Sequence, residues 1–188
     1  MKTTLRLAGT LLLAAALPLA AQQPAPAAAP APIPPVRDSA DVKTLDGIMH
    51  AIYAVISGDS GQARDWDRFR SLFAPGARLI PTGPRPGGAG IRVLSADEYV
   101  TRASGALARQ GFYEGEIARR AETYGPVTHL FSTYESRHAP SDAQPFVRGI
   151  NSFQLFNDGA RWYVVTIYWW GETPDTPIPS RYLASESH

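Results

Sequence analysis

Moving a proton on a small molecule takes a carboxylate or an imidazole in an apolar hollow, with a donor nearby to hold the charge that develops. His129 is one candidate base. It stands in the run Val127 to His138, where period-two alternation puts Phe131, Thr133 and Glu135 on its side and Leu130, Ser132 and Tyr134 on the other. Either side can face inward, and Glu135 lies too far along to orient the ring directly. The ordinary alternative is a strand histidine with an everyday hydrogen bond. Tyr134 is its counterpart on the opposite side, either a phenol that donates to a ligand oxygen or a core or interface tyrosine.

Asp67 is the second candidate base. With Asp65 it brackets Trp66 at a helix start, where the helix dipole favours carboxylates without any catalytic duty. Arg78, just past the Pro75-Gly76 stop, can pair with either aspartate or face an anionic ligand. In the later segment around Arg148 to Leu155, Asn151, Phe153 and Leu155 form the more apolar face. Asn151 is then a buried amide in need of partners, a fit for a ligand contact. The expected ligand-binding set is Trp66, Arg78, His129, Tyr134, Asn151, Tyr168 and Trp170.

Other chemistries find little support. His50, His138 and His188 show no metal-ligand spacing with carboxylates, so no metal is expected. Gly87-Gly88-Ala89-Gly90 lacks the strand, helix and lysine of a phosphate-binding loop and reads as flexible. There is no Gly-x-Ser-x-Gly element. With no cysteine in the chain, disulfides, thiolate ligands and thiol nucleophiles are excluded. No cofactor is expected.

The elements that must position these residues follow from periodicity. Val42, Leu45, Ile48, Met49, Ile52 and Ile56 recur at helical spacing, with Asp38 or Ser39 to cap the start and Gly58 to end it. A shorter helix carries Trp66, Phe69 and Phe73 on one face up to Pro75-Gly76. Ala77 to Pro81 reads as a short strand and Thr82 to Gly90 as a loop. Ser95 and Glu98 form a capping-box pattern that opens a third helix running to Gly111. Phe112 to Tyr124, Val127 to His138, Phe146 to Phe156 and Arg161 to Trp170 then read as four strands. Their short connections make an antiparallel meander. In the last strand Trp162, Val164, Thr166, Tyr168 and Trp170 are expected to alternate with Tyr163, Val165, Ile167 and Trp169, leaving both faces apolar.

The ends read differently. Lys2 and Arg6, the apolar run Leu11 to Leu17 and the small residues Leu19-Ala20-Ala21 form a signal-peptide pattern, too short and too interrupted at Pro18 to span a bilayer. The segment carries two of the 18 basic residues and none of the 17 acidic ones, so cleavage near Ala21 takes the formal charge from +1 to −1. That balance speaks against nucleic-acid or membrane partners after cleavage and points to a periplasmic or secreted protein. The organisation expected is a signal peptide over 1–21, an Ala/Pro-rich linker over 22–38, one domain over 39–173 and a Pro-containing tail over 174–188.

Helix order, Trp66-Asp67-Arg68-Phe69 leading to Leu72-Phe73-Ala74-Pro75-Gly76-Ala77-Arg78-Leu79, and the run Phe153 to Val165 together resemble the NTF2-like superfamily, in particular its SnoaL-like secreted domains. The resemblance spans about residues 40 to 170. It implies an α+β cone, a curved antiparallel sheet wrapped around three N-terminal helices with a pocket at the wide end. It also implies a homodimer through the sheet, the alternative cover for the last strand being the C-terminal tail. It does not choose among functions. The reading favoured from sequence is an exported domain that binds a small, largely apolar molecule without an evident catalytic constellation. The alternatives are an isomerase, cyclase or dehydratase with a pocket His or Asp as base, and a structural dimerisation module.

Overall fold

A computed structural model describes residues 35–184. The stretches read from sequence as a signal peptide and most of a linker, residues 1–34, lie outside the described residues, as do residues 185–188.

The four-strand meander forms as β3 (Tyr113–Tyr124), β4 (Val127–Arg137), β5 (Val147–Asn157) and β6 (Trp162–Gly171), each antiparallel to the next. Before it in the chain come α1 (Ala40–Lys43), α2 (Leu45–Ile56), α3 (Trp66–Ser71), β1 (Phe73–Arg85), β2 (Gly88–Ile91) and α4 (Ala96–Arg109). The sheet is curved and runs β2-β1-β6-β5-β4-β3, with β1 parallel to β6. The fold is the α+β cone expected.

The three longer helices start at side-chain caps. The Thr44 side chain accepts from Gly47 N and so opens α2, which splits the single expected first helix into α1 and α2. Ser95 and Glu98 close both halves of the capping box on α4. The expected second helix is shorter, ending at Ser71 because Phe73 already pairs with Val164 of β6.

Two expectations about strands are corrected. The stretch read as a short strand and a loop is a hairpin, in which Thr82 to Arg85 pair with Gly88 to Ile91 around Gly87, whose φ of 88° suits only glycine without strain. Proline and glycine content masked a β-ribbon at the sheet edge, where proline is tolerated. In β6, simple alternation fails because Gln154 pairs with Thr166 while Leu155 pairs with Val164, leaving Val165 as a bulge. Val164, Ile167 and Trp169 therefore share the inner side.

The core lies between α2 and the concave face. Ile48, Met49 and Ile52 of α2 meet Leu130, Phe153, Leu155 and Val164, all nearly inaccessible to solvent. On the outer face the described part of the tail packs across β4 and β6. Tyr182 stacks near Phe131 with ring centroids 5.5 Å apart, its carbonyl accepts from Thr133 Oγ1, and Thr176 Oγ1 accepts from the Trp170 indole at 3.0 Å.

Candidate functional site

Between the helices and the concave face of the sheet lies a cavity of about 250 Å³. Ile52, Tyr53 and Ile56 of α2 form one wall and Tyr99 of α4 with Phe69 of α3 another. Glu114, Tyr134, Ser136, Asn151, Phe153, Ile167 and Trp169 project from β3 to β6, and Leu79, Phe112 and Val147 complete the lining. Glu114 is the one charged residue in that lining.

Two elements hold Glu114 in place. Its backbone N–H donates to Ser57 Oγ at 3.0 Å, and that hydroxyl, at the end of α2, donates to Tyr53 O at 2.8 Å. Across the strand pair Glu114 faces Ser136, whose Oγ donates to Oε2 at 2.8 Å. No cation pairs with it among the described residues. Burial pushes its carboxyl up from 4.5 to about 7, with hydrogen bonds from Ser136 and Asn151 pulling the other way. An acid that titrates there can take a proton and return it near neutral pH.

Three phenols surround this carboxyl. Tyr53 is buried, bonded to Ser132 Oγ at 2.6 Å and accepting from Asn151 Nδ2 at 3.1 Å. Tyr99 and Tyr134 line the cavity, and neither hydroxyl has a hydrogen-bond partner among the described residues. Burial, and then the Glu114 charge, push both phenols above their ordinary value, so they stay protonated and can donate. Gly149 leaves room for Tyr134, since a Cβ there would stand 2.5 Å from its Oη.

Of the residues singled out from the sequence, the structure brings Tyr134 and Asn151 to the cavity. His129 is on the outer face, its Nδ1 2.5 Å from Gln154 Nε2 and its ring beside Phe131. Tyr168 lies on the same outer face at 47% exposure, and Trp170 turns outward to the tail. Trp66 packs edge-on against Phe69, one ring removed from the cavity. Asp67 is exposed and pairs with Arg37 at 3.0 Å and Arg70 at 3.3 Å. Arg78 bonds the carbonyls of Gly76 and Ala77 rather than either aspartate.

Sequence reasoning missed Glu114, Tyr53, Tyr99 and Ser136. The available signal was Glu114-x-Glu116 at strand spacing in the first strand of the meander, which puts both carboxylates on one side.

No protein-family model matches the chain, and no curated protein does. Solved structures do. A candidate calcium/calmodulin-dependent protein kinase II association domain from Xanthomonas campestris is 12% identical with a TM-score of 0.52, covering 69% of this chain and 86% of that one. A candidate scytalone dehydratase from Novosphingobium aromaticivorans is 10% identical with a TM-score of 0.52, covering 69% and 82%. A candidate dehydratase from the NTF2-like family of Streptomyces avermitilis is 10% identical with a TM-score of 0.48, covering 67% and 96%. The chain has the NTF2-like fold.

Proposed function

We propose that the cone is a proton-transfer site of the isomerase or dehydratase type, in which Glu114 is the acid-base group for a small, uncharged, largely apolar molecule. One observation carries this reading. The single carboxyl of an otherwise uncharged cavity is tuned to about 7 and shares that cavity with two unpartnered phenols. The phenols are suited to hold a carbonyl oxygen as it gains charge. The lining offers no cation to an anionic ligand, and its rings favour a flat apolar one. This reading keeps the pocket ligand favoured from sequence and replaces the pocket His or Asp with Glu114. The neighbour described as a candidate scytalone dehydratase agrees in type of chemistry.

Export after cleavage near Ala21 belongs to the same proposal, as does a homodimer through the part of the outer face that the tail leaves open, where Phe156 and Tyr168 are exposed. The reaction is tested with a panel of small neutral ketones and β-hydroxyketones in D2O. NMR follows α-proton exchange and mass spectrometry follows loss of water. Turnover that disappears in Glu114→Gln supports the proposal. Turnover that survives this substitution removes Glu114 as the acid-base group, and a panel on which the wild-type chain is inert while retaining a ligand unchanged favours binding without catalysis.

A further inference from the structure

The polar residues beneath the cavity form a line of hydrogen bonds with one consistent direction. A bulge at Ile117, between the pairs Glu116–Tyr134 and Ala118–Thr133, puts Glu116 and Arg119 on the same face of β3. Arg119 holds Glu116 through Nε at 2.8 Å and through Nη2, and its Nη1 reaches Asp46 at 2.5 Å. A guanidinium only donates, so the Glu116 carboxylate is kept as an acceptor. Ser132 Oγ, 2.6 Å from Glu116 Oε1, gives it its one proton. Tyr53, 2.6 Å from Ser132 Oγ, must then supply the proton of that bond. Tyr53 Oη is left with lone pairs alone, and it meets Asn151 Nδ2 at 3.1 Å.

We infer that the Glu116–Arg119 pair, acting through Ser132 and Tyr53, fixes the orientation of the Asn151 amide and so keeps an N–H rather than a carbonyl beside Glu114. The inference rests on the reading of Glu114 as the acid-base group. Glu116, Ser132 and Tyr53 are positioning residues, each on a different element from Asn151: β3, β4, α2 and β5 respectively. If the line is cut, Tyr53 is free to turn its proton onto Asn151, whose amide then rotates and presents its carbonyl to the acid. The charged form of Glu114 loses a donor. The other titratable groups facing Glu114 in the cavity are Tyr53 on α2, Tyr99 on α4 and Tyr134 on β4, and the cleft on its other side is lined by Asp46 and His50 of α2, Tyr113, Glu116 and Arg119 of β3, Glu135 and Arg137 of β4, and Asp142.

The test uses the mature chain carrying 13C at the glutamate side-chain carboxyls, with the Glu114 signal assigned by its loss in Glu114→Gln. Ser132→Ala is expected to raise its titration midpoint by about half to one pH unit, the effect of losing one bond to the charged form. Asn151→Ala should raise it as much, and Ser132→Ala added to Asn151→Ala should add nothing. Arg148→Met, which breaks the separate pair with Glu172, is the control that leaves the midpoint in place. In the wild-type chain the Asn151 amide protons should show NOEs to the Tyr53 ring. Absence of those NOEs, an unmoved midpoint in Ser132→Ala, or shifts additive with Asn151→Ala would overturn the relay. A wild-type midpoint in the ordinary carboxylate range removes the acid-base reading and the relay together, whereas a midpoint near 7 that ignores the variants removes the relay alone.

Discussion

Glu114 and Glu116 stand two residues apart on one face of β3, and each accepts a hydrogen bond from a serine of β4, Ser136 for the first and Ser132 for the second. Glu116 also has the Arg119 fork and, beyond it, Asp46. Glu114 has no cation among the described residues and looks into an apolar cavity. The same side chain is paired with a guanidinium in one place and buried in a cavity wall without one in the other. What separates them is the bulge at Ile117, which brings Arg119 within reach of Glu116 and not of Glu114. Residue type alone does not make an acid-base group; burial with no counter-charge among the described residues does.

The comparison is broken most severely by removing the acid. Glu114→Gln is expected to lower proton transfer by about 10²- to 10⁴-fold, the usual contribution of a positioned acid-base group, while Glu116→Gln keeps most of the activity. Steady-state rates on a substrate found in the ketone panel check this.

The same substitution should act in the opposite sense on stability. The folded chain holds the Glu114 proton up to pH about 7, whereas the unfolded chain releases it above its ordinary 4.5. The folded state therefore binds more protons between those values, and stability falls as pH rises through that window. Glu114→Gln removes that loss. It should be more stable than wild type at pH 8 by at most about 3 kcal/mol, with the gain fading towards pH 4.5. Urea unfolding at the two pH values measures the difference.

Arg119→Met sharpens the contrast from the other side, leaving Glu116 part-buried without its cation. It should cost about 1–2 kcal/mol in urea unfolding, less than a fully buried pair because Arg119 keeps a quarter of its surface in water. The smallest effect is expected at His129→Ala, under about 0.5 kcal/mol and without loss of turnover, since that ring lies on the outer face away from the cavity.

These residues also mark how far the sequence could be read. The start of α4 was legible because Ser95 and Glu98 act within four residues of each other, and the meander because its turns are short and its strands rich in β-branched and aromatic residues. Asn151 and Tyr134 were legible as cavity candidates from alternation within a single strand. Glu114 was not, because its character comes from Tyr53, Tyr99 and Asn151, which are 61, 15 and 37 positions away and meet it only in the closed cone. The bulges at Ile117 and Val165 were equally hidden, since each is a property of a strand pair rather than of one strand. The β1–β2 hairpin was masked by local glycine and proline, whose turn signal outweighed a pairing set by the sheet edge.

The most direct measurement of the central claim is the titration of Glu114 itself in the ligand-free chain, followed by carboxyl 13C NMR from pH 3 to pH 9. A midpoint near 7, far above every exposed glutamate in the same spectra, is the predicted result. A midpoint among the exposed glutamates, near 4.5, would contradict it.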